Sequence, residues 1–170
     1  MYNLPRKPDG RGAHVKNPPA PARLEIRYSD LDPYGHVNNA LHAVYFEALR
    51  MAYWKRLAED LDLGPLEAGD ISGARYVIAE ATVRYKAPIF LDDSLLGAAS
   101  IRTVGNRSYV MEYELRVGES FEDGRVVAEG ESAQVFYDPQ TGEVKPRPKW
   151  FLPAVAELEG RSEESFGPER

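Results

Sequence analysis

Apolar and polar residues alternate along most of this chain, and in one stretch only does a helical period replace the alternation. Leu24, Ile26 and Tyr28 interleave with Arg23, Glu25 and Arg27, the period-2 signature of a half-buried strand. Residues 30–35 follow as a loop, with Pro33 and Gly35 as breakers. Over residues 39–61, Leu41, Val44, Tyr45, Ala48 and Ala52 recur at helical spacing. This predicts one long helix, capped by Asn38 or Asn39 and ended by Gly64-Pro65. The remainder reads as strands. Val77, Ala79, Ala81, Val83 and Tyr85 make one apolar face, and residues 95–104 a second strand. A turn at Gly105-Asn106-Arg107 leads into residues 109–117, and Asp123-Gly124 is a hairpin signal before residues 126–137. Residues 138–142 turn the chain once more.

One strand, one long helix and a run of hairpin-linked strands form an α+β pattern. An antiparallel sheet would bury one face against the helix, and a sheet curled about it would cover most of its surface. Self-association into a homo-oligomer is the expected way to close the remaining edge. The ends differ from this core. Residues 1–22 carry five prolines and no apolar period, which predicts a flexible arm, and residues 159–170 read as a charged tail. The expected folded domain therefore spans residues 23–158 of 170.

Charge narrows the partners. A net charge of -6 argues against nucleic acid or an anionic membrane as the main partner. A polyanionic ligand would need a local basic patch. With no cysteine, thiolate nucleophiles, disulfides and Cys-based metal sites are excluded. No apolar run approaches the roughly 20 residues of a membrane span, and the N-terminal residues lack the apolar core of a secretion signal. The expected compartment is the cytoplasm.

The chemistry concentrates in Tyr28-Ser29-Asp30-Leu31-Asp32-Pro33-Tyr34-Gly35-His36-Val37-Asn38-Asn39. Two carboxylates and a histidine occupy a loop that runs into the long helix. A helix start offers unpaired backbone N–H groups and a positive dipole end, which suits the oxyanion of a thioester under attack. A carboxylate just upstream could attack the carbonyl carbon or deprotonate a water that does. Two other sites fail on spacing. Asp30-x-Asp32 starts like a calcium loop, but its twelfth position is Leu41 rather than Glu. His36 and His42, six apart, do not share a helix face for a metal.

The run Asp-x-Asp-x-x-Gly-His-Val-Asn-Asn, with Tyr45-Phe46-Glu47 beyond it, resembles the 4-hydroxybenzoyl-CoA thioesterase-like branch of the hot-dog superfamily. Residues 85–89, 93–95 and 106–109 resemble later segments of that family. The resemblance implies a hot-dog fold, a curved antiparallel sheet wrapped around one central helix. It also implies hydrolysis of an acyl-CoA thioester at a dimer interface, without metal or redox cofactor. By position, Asp32 matches the catalytic aspartate, and the Asn39 amide the donor that polarises the carbonyl. His36 and Asn38 fall where relatives keep residues that assist or shape the site. His42 departs from the usual aromatic, and Asp92 from a common glycine, so substrate identity does not transfer.

Each candidate has a plainer role to set against this one. Asp32 could simply hold the Pro33-Tyr34-Gly35 turn, and Asp30 reads better as a loop-holding group. His36 could be packed. Asn38 and Asn39 are caps first, although the functional role of Asn39 uses only its backbone. Glu47, expected to be partly buried, could orient water or be a hydrogen-bonded structural carboxylate. Lys86, Arg102 and Arg107, the last beside Ser108, sit where strand ends and hairpins bring charge to CoA phosphates. Singly, each is also an ordinary surface cation. Two rivals remain: a non-catalytic acyl-CoA sensor, and a hot-dog hydratase or dehydratase using an Asp/His pair.

Overall fold

The computed structural model describes residues 18–61 and 73–167. Strand β1 (Ala22–Leu24) leads through a 3-10 turn (Tyr28–Asp30) to helix α1 (Leu41–Asp60). Four strands follow: β2 (Tyr76–Tyr85), β3 (Leu95–Val104), β4 (Ser108–Val117) and β5 (Arg125–Phe136). Helix α2 (Phe151–Glu159) and a second 3-10 turn (Glu163–Phe166) complete the chain. The strands form one antiparallel sheet in the order β1-β3-β4-β5-β2. Register shifts after Ile78, Ile101 and Leu115 mark bulges, which bend the strands they interrupt.

Helix α1 lies on the sheet face that carries Tyr109, Met111, Tyr113 and Leu115 of β4, all buried. Period 2 along the strand and period 3.6 along the helix meet there, each supplying one apolar side. Two glycines let the helix come close. A Cβ built on Gly97 would lie 2.7 Å from the Leu49 side chain, and one on Gly130 would lie 2.2 Å from the Phe46 ring. Phe46 also stacks on Tyr113, with centroids 4.8 Å apart. At the far end of α1, Trp54, Tyr109, Phe136 and Phe151 pack ring against ring.

The structure departs from the sequence expectation in several places, the unpredicted helix α2 among them. The helix is shorter at both ends than residues 39–61, and its expected Gly64-Pro65 stop lies outside the described residues. The first strand stops at Leu24; Tyr28 sits in the 3-10 turn and is 82% exposed, because the chain must turn to reach the helix. Strand β2 forms, but its side chains are mostly exposed on both faces, with Val77 and Ile78 at 46% and 44%. As an edge strand it meets only β5, so period 2 is present without burial. Finally, the expected charged tail is packed as far as Phe166, which is fully buried under the Arg161 guanidinium, 4.0 Å above its ring. Residues 1–17 of the expected arm are outside the described residues.

Candidate active site

The loop between β1 and α1 is held largely by its own polar groups. Asp30 ties it to the helix: its Oδ2 accepts from the Arg27 amide at 2.9 Å and from the Tyr45 hydroxyl at 3.1 Å. Burial, and then the Asp30 charge, push the Tyr45 hydroxyl well above its usual pKa, so it stays a donor. The Asn38 amide donates to the Asp30 carbonyl, and the Val37 amide to the Ile89 carbonyl, both at 2.8 Å. Those bonds fasten the loop to the segment that follows β2.

Asp32 opens a tight reversal. Its amide donates to the His36 carbonyl at 2.8 Å, and Gly35 makes the turn at φ +83°, a backbone region that favours glycine. The Asp32 carboxylate makes three polar contacts. Oδ1 accepts from the amides of Tyr34 (2.8 Å) and His36 (3.4 Å), and Oδ2 lies 3.1 Å from His36 Nδ1. A carboxylate at Nδ1 fixes that nitrogen as the protonated one and leaves Nε2 with the free lone pair.

A cavity of about 290 Å³ opens beside this pair, walled by His36, Asn39, His42, Tyr85, Lys86 and Ile89. Asp32 is not on its wall; it stands one step back, behind His36. Among the described residues the Asn39 amide donates to no acceptor. Its carbonyl accepts from the Tyr85 hydroxyl at 3.2 Å and the His42 amide at 3.3 Å, which fixes the peptide on the cavity wall. The helix cap is Ala40, with no side-chain cap bond, rather than the expected Asn38 or Asn39; Asn38 instead closes a turn just before it, its Oδ1 accepting from the Ala40 amide at 3.0 Å. His36 and His42 thus share one cavity after all, because the first sits on the loop and only the second on the helix. His42 is buried edge-on against Tyr85, with centroids 4.8 Å apart. Burial lowers its pKa, against the opposing pull of the Asn38 and Asn39 carbonyls, so the ring is neutral at pH 7.

The other candidates scatter. Lys86 lines the cavity and pairs with the largely buried Glu129 at 2.9 Å. Glu47 is exposed, not partly buried, because position 47 faces outward past the sheet edge; it borders a second cavity further along α1. Arg102 pairs with Glu131 at 2.7 Å and lines a depression with Glu80 and Thr82. Arg107 and Ser108 are exposed at the β3–β4 hairpin. Ser108 pairs with Val135 and Tyr85 with Ala128, seven residues apart along β5, so roughly 23 Å separates them at ~3.3 Å per residue. Within one chain Arg107 and Ser108 do not join Lys86, whereas Arg102 pairs with Glu131, two residues from the Glu129 that holds Lys86. Tyr85 was not singled out from sequence, since its place in the site depends on a strand end meeting a loop 46 residues away.

The Thioesterase-like superfamily matches residues 26–155. A thioesterase from Thermus thermophilus, solved with coenzyme A and zinc, is similar at 27% identity and a TM-score of 0.67. That likeness covers 87% of this chain and 99% of the other. A 1,4-dihydroxy-2-naphthoyl-CoA thioesterase from Synechocystis shares the fold at 18% identity and a TM-score of 0.62, over 82% of this chain and 96% of its own. YsmA of Bacillus subtilis (strain 168), an uncharacterised protein, is 40% identical over 35 residues. That match spans 21% of this chain and 24% of YsmA, well short of its full length. The antiparallel sheet against one long helix is the hot-dog fold of these thioesterases, as the loop motif implied. With the match running from the end of β1 into α2, the chain belongs to the thioesterase-like superfamily.

Proposed function

We propose that the protein hydrolyses an acyl-CoA thioester to a carboxylic acid and CoA. The observation that carries this is that Asn39, whose amide donates to no acceptor among the described residues, and the Asp32-backed His36 line one cavity. The thioester carbonyl oxygen points at the Asn39 N–H, at the positive end of α1. His36 Nε2 takes a proton from water as the water oxygen bonds to the carbonyl carbon. The C–S bond then breaks, and the proton passes from His36 to the departing sulfur. Asp32 orients the imidazole and stabilises its charged form. Direct attack by Asp32 is disfavoured, because Asp32 is not on the cavity wall and stands behind His36. Asn38 holds the helix start, and Lys86 offers its charge to CoA phosphates at the cavity mouth. Glu47 has no part in the proton transfer.

The active form is a cytoplasmic homodimer or homotetramer. Support comes from the apolar β2 edge, where Val77, Ile78 and Tyr85 stay 44–51% exposed. In such an assembly Arg102, Arg107 and Ser108 would serve CoA bound at a neighbouring protomer. Thiol release from a panel of acyl-CoAs tests the reading, with Asp32→Asn and His36→Gln alongside. Wild-type rates in both variants would overturn it. Loss of enoyl-CoA absorbance without thiol release would point instead to a hydratase built on the same Asp–His pair.

A further inference from the structure

Helix α1 buries a cation that has no anion. Arg50 is 7% exposed, and among the described residues no carboxylate lies within 4.0 Å of its guanidinium. Its neighbours are neutral phenols: the Tyr113 hydroxyl, 3.4 Å from Nη1, and the hydroxyl of Tyr76. Among the described residues Nε has no hydrogen-bond partner. A buried guanidinium with spare donors is costly unless something supplies the missing acceptors.

Arg50 lines the second cavity, of about 280 Å³, whose walls include Val44, Phe46, Ile78 and Val83. Beside Arg50, the Tyr113 hydroxyl and Ser132 Oγ are 2.6 Å apart, and either atom can donate. Two acids also border the cavity, and neither neutralises Arg50. Glu131 is held by Arg102 at 2.7 Å and Arg84 at 3.8 Å, while Glu47 is solvent-exposed. The cavity is therefore apolar along its sides with a cationic, hydroxyl-bearing floor.

Its position relates it to the thioester site. Asn39, Ala43, Phe46 and Arg50 follow one another at steps of three and four, along one stripe of the helix. On the facing strand, Tyr85 borders the first cavity, and Val83 and Ala81 the second. The two cavities are successive stations of one groove between α1 and β2. Arg50 begins about 16 Å beyond Asn39 at ~1.5 Å per residue, and its side chain leans back toward the helix start.

We propose that this second cavity receives acyl groups ending in a carboxylate, and that Arg50 is the residue that selects them. The proposal rests on the thioesterase reading and names its substrate class. A carboxylate fits where a hydroxyl does not suffice: it neutralises the charge and accepts from Nε and one Nη together. An adipoyl group, with its thioester carbonyl at Asn39 and its carboxylate at the far end of the chain, is the simplest probe of this class.

The test compares adipoyl-CoA with hexanoyl-CoA, which differ only in the terminal carboxylate, by thiol release on the full-length protein. Wild type is expected to prefer adipoyl-CoA at least tenfold in kcat/KM, and Arg50→Met to reverse that order. Ser132→Ala, which leaves the charge in place, should lower the preference several-fold and covers the case in which Arg50→Met does not fold. Non-hydrolysable thioether analogues, measured by calorimetry on wild type and Arg50→Met, separate the two readings. Hexanoyl-CoA turnover with no adipoyl preference in rate or binding overturns the Arg50 assignment and leaves the thioesterase standing. Arg50-dependent preference for the adipoyl analogue without any thiol release upholds the assignment and removes the thioesterase. Unchanged selectivity in Arg50→Met, with loss of the oligomer, also overturns it and makes Arg50 an interface residue.

Discussion

At its first turn α1 meets a hydrogen-bonded loop and an open cavity; in its second half, at Tyr53 and Trp54, it is buried among aromatic rings. Trp54 stacks on Tyr76 at 5.6 Å, and α2 drives Phe151 between Trp54, Tyr109 and Phe136. Tyr53 and the Ile101 amide both donate to Glu159, closing that end with a buried carboxylate. The opposite end keeps an unused amide and a neutral, poorly hydrogen-bonded His42. Aromatic burial on this scale concentrates stability at one end, and the other can then tolerate groups held ready for a ligand.

That contrast can be broken by substitution. Asp32→Asn should lower kcat up to about ten-thousand-fold, because the amide no longer holds the His36 tautomer that takes the proton, while the melting temperature barely moves. Phe151→Ala should do the converse. Urea denaturation is expected to show a loss of about 3–5 kcal/mol, with kcat per folded molecule unchanged. A collapse of kcat in Phe151→Ala at full stability would erase the division between the ends. Lys86→Met should raise KM about tenfold with kcat nearly intact, if its charge meets the CoA phosphates.

The smallest effects are in pH, and they have opposite signs at the two ends. Burial lowers the His42 pKa, so its folded form resists protonation, and stability falls as pH drops below the usual 6.5. Burial raises the Glu159 pKa against its hydrogen bonds from Ile101, Tyr53 and Arg161. Its contribution is fullest below about the usual 4.5 and is lost as pH rises through the raised value. Melting curves across this range should therefore show wild type weakening on acidification relative to His42→Phe, and strengthening relative to Glu159→Gln. Parallel curves for either pair would remove that group from the comparison.

The sequence was informative where order is local. Strands β3, β4 and β5 fall within a residue or so of expectation, because the turn signals at Gly105-Asn106-Arg107 and Asp123-Gly124 mark where each one ends. The loop between β1 and α1 was legible on similar grounds: Pro33, Gly35 and the asparagines dictate its turns whatever surrounds them. What depended on distant partners was hidden. Helix α2 is nine residues long and includes Pro153, too short to be stable alone, so only its docking makes it a helix. Phe166 among charged residues gave no sign of burial. Arg50 occupies a helical position that reads as polar surface, and the sheet beneath it makes the position internal.

The notches at Gly97 and Gly130 have a mechanical consequence. One sits on β3 and the other on β5, and each admits a side chain from a different turn of α1. Two such fasteners on separate strands fix the helix in both rotation and axial travel. Sliding by one residue, about 1.5 Å, would drive the Phe46 ring into strand backbone. The placement of the Asn39 amide is thus inherited from packing several turns away. A methyl group added at position 130 would misalign the reaction without touching any atom that takes part in it.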